Sequence, residues 1–172
     1  MQSDTVMLYK LIILFMLDKV DFPLTNAHIS NFMLDKDYTD YFTIQQVINE
    51  LVDAEFITSE TIRHNSHYQI TDSGRETLSF FGNKISSAIQ SDILTYLNEN
   101  KFRLRNETST TSDFFEEKKG EYLVRLKVKE KTSTVIELNL TVPTEEDATK
   151  ICSNWSSKSQ DIYATVLSSL LS

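Results

Sequence analysis

Three side-chain amides stand close together at Gln45, Gln46 and Asn49. Amides of this kind can bond an adenine edge in bidentate fashion. Thr43 precedes them at a helix start, where free backbone N–H groups suit a phosphate. A second polar cluster follows at Arg63, His64, Asn65, Ser66 and His67. Its residue types can reach a phosphate or a minor groove. Glu50 and Asp53 lie among the amides and oppose that chemistry, since carboxylates repel phosphate. Solvated surface is the plainer reading of the same amides. His64 and His67 also have the spacing of a metal pair. No Cys lies near them, and a hairpin tip offers no third or fourth ligand where metal sites usually want four. Neither a metal nor a cofactor is expected.

Catalytic chemistry finds less support. The chain has no Gly-rich phosphate loop, no H-E-x-x-H, no nucleophile elbow and no CxxC. Cys152 falls on the inward stripe of a helix and reads as core. Glu116-Glu117 flank a turn. Glu145, Glu146 and Asp147 open a helix, where negative charge is favoured anyway. His28 reads as a helix-surface or boundary residue. No enzyme activity is expected.

The elements that position the polar clusters are legible from periodicity. Phe42, Ile44, Val47, Ile48, Leu51 and Val52 recur at the helical period, with the amides opposite. That helix begins near Phe42 or Thr43. Phe56 and Ile57 lead into an extended run over 58–63, rich in β-branched residues. His64-Asn65-Ser66 reads as a turn, and His67 to Ile70 as a return strand. Thr71 or Asp72 caps the next helix, about Ser73 to Phe81. Gly82-Asn83 reads as its C-cap.

Helix, hairpin and helix within 41–78 resemble the back half of a winged helix-turn-helix of the PadR and MarR kind. The likeness rests on Leu51 through Phe56-Ile57 and on Tyr68-Gln69-Ile70-Thr71-Asp72-Ser73-Gly74 with Leu78. Over nearly its whole length the chain also resembles a winged-helix family of uncharacterised proteins from Gram-positive anaerobes. In that family a long helix and a small sheet follow the wing. The resemblance implies that the amide-bearing helix enters a DNA major groove. Thr43, Gln45, Gln46, Asn49, Arg63, His64, Asn65 and His67 are then the DNA-binding residues.

Upstream, a first helix from about Asp4 to Lys19 is apolar nearly all round, so it must be buried on several sides. Dimerisation is the economical explanation. Pro23 sits in a connector. Thr25 or Asn26 caps a second helix running to about Asp35, with Ile29, Phe32, Met33 and Leu34 inward. The turn of the helix-turn-helix follows over 35–40.

Downstream, a fifth helix starts at Ser86 or Ser87 and ends near Asn100. A basic cluster from Lys101 to Arg105 follows it. The period then changes to two. A polar strand over 108–117 and the alternating runs Tyr122–Val128 and Ile136–Val142 predict a three-stranded antiparallel meander. Lys118-Lys119-Gly120 is its first turn. Arg125, Lys127 and Lys129 face outward with Glu137 and Asn139, and cross-strand charge pairing is the better reading of that face. Thr144 caps a last helix that covers the other face, with a weak, Ser-rich middle over 153–159.

The expected fold is therefore α+β: a winged helix over 1–84, then a helix, sheet and covering helix over 85–172 for dimerisation or sensing. A single Cys excludes an intramolecular disulfide and fits a reducing compartment. The apolar run Val6–Val20 is short of the ~20 residues that span a bilayer. A cytoplasmic location with no membrane partner is expected. The net charge of −8 opposes strong binding to nucleic acid, which depends on Lys and Arg. Residues 1–84 hold 6 basic and 12 acidic residues, so the half meant to meet DNA is the more acidic one. The leading expectation is a homodimeric regulator of transcription that binds double-stranded DNA, paired through its first and last helices. The alternative is a winged-helix module for protein–protein contact.

Overall fold

Ser3 starts the first helix by accepting the Val6 N–H at 3.2 Å. In the computed structural model, which describes residues 3–131 and 133–172, the chain is α+β. Two compact units divide it: Met1–Thr61 with Asn65–Arg105, and Ile62–His64 with Asn106–Ser172. Apart from the hairpin tip, the division falls at 105/106.

In the first unit α1 (Asp4–Asp18) buries every residue from Leu11 to Leu17. It packs on α3 (Tyr41–Asp53), on α4 (Asp72–Phe81) with the 3-10 turn Gly82–Lys84, and on β3 (Asn65–Ile70). Seven consecutive buried residues are thus enclosed by the unit itself. The unit accounts for the burial of the middle of this apolar helix.

Pro23 precedes a two-residue strand, β1 (Leu24–Thr25), in what reads as a connector. It pairs antiparallel with β3, Leu24 opposite Tyr68 and Thr25 opposite His67. With β2 (Ile57–Ile62) the order is β1-β3-β2. Thr25 also caps α2 (Asn26–Asp35), accepting the His28 N–H, while His28 Nδ1 accepts the Thr25 N–H at 3.1 Å. This reciprocal cap explains why His28 is buried rather than on the helix surface. Leu34, expected inward, is exposed.

The hairpin turns at Arg63 and His64, with φ of 48° and 68°. Two left-handed residues in succession make a type I′ turn, which suits the twist of the flanking strands. Asn65 and Ser66 already belong to β3, which starts two residues before the expected His67. Gly74 in α4 is required by close approach: a Cβ there would lie 2.2 Å from the Phe56 carbonyl oxygen. Gly82 keeps right-handed dihedrals, so α4 tightens into the 3-10 turn instead of ending on a left-handed cap.

The fifth helix, α5 (Ser87–Ser109), runs nine residues past the expected end at Asn100 and carries the basic cluster within it. Leu104 is fully buried in the core of the first unit. The polar strand therefore starts later, as β4 (Thr110–Lys118).

In the second unit β4, β5 (Glu121–Glu130) and β6 (Ser133–Val142) form the antiparallel meander, in the order β4-β5-β6. Val124 faces Phe114 and Leu140, and Leu126 faces Ser112 and Leu138. Gly120 takes φ 78° in the first turn. Thr144 caps α6 (Glu145–Leu171), which is continuous through its Ser-rich middle. Ala148, Cys152 and Trp155 close over Val124 and Leu126. Trp155 Nε1 donates to the Lys127 carbonyl at 3.1 Å, which satisfies the one polar atom of a buried indole.

Candidate functional site

The surface to test is α3. Its core side is Ile44, Val47, Ile48 and Leu51, all buried. Phe42, placed inward by periodicity, is 84% exposed, and Tyr41 is 56% exposed. Both lie in the first turn, before the buried face engages its neighbours. The outward ridge is Phe42, Gln46, Asn49 and Asp53.

The three amides do not share one role. Gln45 is committed inside the unit. Its Oε1 accepts from Asn26 Nδ2 at 2.7 Å, and its Nε2 donates to Asn26 Oδ1 at 2.9 Å and to Ser30 Oγ at 3.3 Å. These bonds clamp α3 to α2 and leave Gln45 no amide edge for a base. Gln46 and Asn49 remain exposed, almost one turn apart.

The helix start is also occupied. Asp40 caps α3, its Oδ1 accepting the Thr43 N–H at 2.7 Å. That bond holds the Asp40 carboxyl below its ordinary range. A phosphate at this N-terminus would have to displace or face a carboxylate already bound there. Thr43 itself is half-buried. Glu50 is less of an obstacle than its charge implies, because Lys10 of α1 pairs with it at 3.2 Å.

The nearby cations are drawn to separate acidic or aromatic partners. Lys36 lies 3.9 Å from Asp92 of α5. Asp92 also accepts the Tyr38 hydroxyl at 3.0 Å. Burial, aided by that bond, pushes the Tyr38 phenol up to about 12. Arg75 is held by Asp18 at 3.6 Å and by Asp72 at 3.2 Å. Lys84 sits over the Phe81 ring, 5.6 Å from its centroid.

The hairpin residues also part company. Arg63, His64 and Asn65 are exposed at or beside the turn. The Arg63 guanidinium stands 5.3 Å from the centre of the Phe114 ring, inside the second unit. His67 is buried in β3 opposite Thr25, so it belongs to the sheet and cannot reach a groove. His64 and His67 are therefore no matched pair, and no cluster of three or more His, Cys, Asp or Glu suited to a metal occurs among the described residues.

In the second unit Lys127 stands directly opposite Glu137, and Arg125 between Asp113 and Asn139. Arg125 also covers the Phe115 ring at 5.4 Å. The outer sheet face thus carries two opposite-charge neighbours, Lys127 with Glu137 and Arg125 with Asp113. Cys152 is buried, and desolvation pushes its thiol up, away from the reactive thiolate. No described helix is long and apolar enough to cross a membrane.

One protein family, described as Domain of unknown function (DUF4364), has a model that matches residues 9–170. No curated protein and no solved structure matches the chain.

Proposed function

We propose, for a chain that belongs to the DUF4364 family over nearly its whole length, that the first unit is a winged helix serving protein–protein contact. The order α1-β1-α2-α3-β2-β3 with sheet order β1-β3-β2 supports the winged-helix reading. In it α2 and α3 are the helix-turn-helix and the β2–β3 hairpin is the wing.

One observation carries the choice of partner. From Asp40 to Ile70, the stretch that would meet DNA, there are five carboxylates and one guanidinium. Association with a duplex is driven by cations that release its counterions, with a salt slope of roughly −0.9 per phosphate neutralised. A surface that offers a single Arg gains little from that term. The α3 ridge instead joins exposed aromatics to amides and acids. Protein interfaces favour such a combination, an aromatic centre with a polar rim. Asp40 and Asp53 at the ends of α3 favour a partner segment that is basic and apolar.

A second reading, the DNA-binding regulator, rests on Gln46 and Asn49. Both amides are exposed and free of the clamp that holds Gln45. Titration of a fluorescent duplex pool between 50 and 200 mM salt separates the two. The interaction reading expects no salt-dependent binding, and a photo-crosslinker at position 42 should yield protein adducts in cells. Salt-steep duplex binding that falls in Gln46→Ala and Asn49→Ala, with DNA as the crosslinked species, establishes the regulator instead.

Self-association, if it serves either function, belongs to the end of α6. Leu170 and Leu171 are 77% and 81% exposed, whereas the centre of α1 is enclosed. The mass in solution of a Leu170→Glu/Leu171→Glu variant tests this, a monomer being expected where the parent chain is a dimer.

A further inference from the structure

The second unit holds a cavity of about 250 Å³ between the far end of the β5–β6 hairpin and α6. Val128, Val135, Ile136 and Tyr163 line it, together with Ser159. Three independent features shape it. First, the pairing shifts there: Val128 opposes Ile136 while Lys129 opposes Thr134. Val135 is thus the extra residue of a β-bulge, a device that re-aims side chains and recurs beside binding sites. Second, the lining surface is mainly apolar, with Lys129, Glu130, Ser159 and Gln160 as its polar members beside the Tyr163 phenol. Third, Ser159, only 4% exposed, brings a hydroxyl to that lining.

We infer that this cavity binds a small uncharged molecule, aromatic or branched aliphatic, that carries one hydrogen-bonding group for Ser159. Size favours a small occupant, since drug-sized ligands fill about 300–1,000 Å³. A dry apolar cavity of roughly 150 Å³ accepts benzene, so this one has room for a substituted ring. Lys129 and Glu130 bring one charge of each sign to the lining, so no net charge there favours an ion. An amphipathic helix or an extended peptide is far too large. The inference stands on the second unit alone and does not depend on what α3 recognises.

The experiment is an amide NMR titration of the full chain with p-cresol and, separately, with toluene. Saturable shifts are expected at 128–136 and 155–163 with both. Ser159→Ala should weaken p-cresol about three- to tenfold, the range of one lost hydrogen bond, and leave toluene unchanged. Ser159→Leu, which fills the cavity, should abolish both. Should that variant not fold, Val135→Phe is read in its place. Absence of saturable binding up to the solubility of the probes overturns the inference. Equal weakening of both probes by Ser159→Ala, or full binding by the filled variant, overturns it as well.

Discussion

Replacing Gln45 by Leu keeps volume and helix propensity while deleting an amide. Three hydrogen bonds are lost, at 2.7, 2.9 and 3.3 Å, the last of marginal length. A typical net contribution is about 1 kcal/mol per bond. The Asn26 amide keeps Tyr68 Oη at 3.3 Å, and its oxygen keeps the Ser30 hydroxyl at 3.0 Å, so neither partner is wholly stranded. The expected loss is therefore about 2 kcal/mol, read from urea unfolding followed by far-UV circular dichroism. Gln46→Leu and Asn49→Ala remove exposed amides and should stay within about 0.5 kcal/mol of the parent chain. Had the three amides formed one base-reading set, none would matter to folding. A Gln45→Leu variant as stable as the parent chain would refute the clamp, as would an equal loss in Gln46→Leu.

Gly74→Ala forces a Cβ against the Phe56 carbonyl, and overpacking against backbone should cost about 2–4 kcal/mol in the same assay. Lys10→Met leaves Glu50, about a third exposed, without its cation. A loss of about 1–2 kcal/mol is expected, discounted for solvent access, and Lys10→Met/Glu50→Gln should recover most of it. Asp40 has a carboxyl pKa lower in the folded than in the unfolded chain. Its contribution is present above the unfolded value of ~3.9 and is lost as pH falls through the lower folded value. Asn is an equally good cap that does not titrate. The difference in melting temperature between Asp40→Asn and the parent chain should therefore be constant from pH 7 to 5 and change below pH 4; a constant difference down to pH 2 contradicts the cap.

Long amphipathic elements were legible in the sequence because their periods repeat often enough to be read. That holds for the buried face of α3, the alternation of β5 and β6, and the covering stripe of α6. The rest depended on contacts made far along the chain. The two-residue β1 has no period at all, and only its pairing with β3 defines it. The second half of α5 is polar, so neither a stripe nor a Gly or Pro marks its end, and burial of Leu104 in the first unit extends it. The hairpin turn was displaced because Arg63 and His64 occupy left-handed positions that usually hold Asn and Gly. Of the candidate site, Gln46 and Asn49 lie where spacing puts them. Gln45 and His67 do not serve the surface, because Asn26 in one case and the β1 partner in the other claim them. Asp40 was a readable cap three residues before Thr43, and it would have identified the anionic helix start.

The strand order has a consequence for handling and evolution of the chain. β6 is an outer strand ten residues long. It carries one charge, Glu137, and its run of Val, Ile, Leu and Thr ends at Pro143. Soluble proteins usually blunt such edges with lysine, proline or extra bulges, because an unpaired ladder is a template for another chain. Here the bulge at Val135 disrupts only one end, and Leu140 stays 39% exposed. The remainder has the composition of segments that stack into cross-β fibrils. Concentrated or partly unfolded samples should form fibrils from 136–142, and Leu140→Lys should delay their appearance in a thioflavin assay without altering the fold.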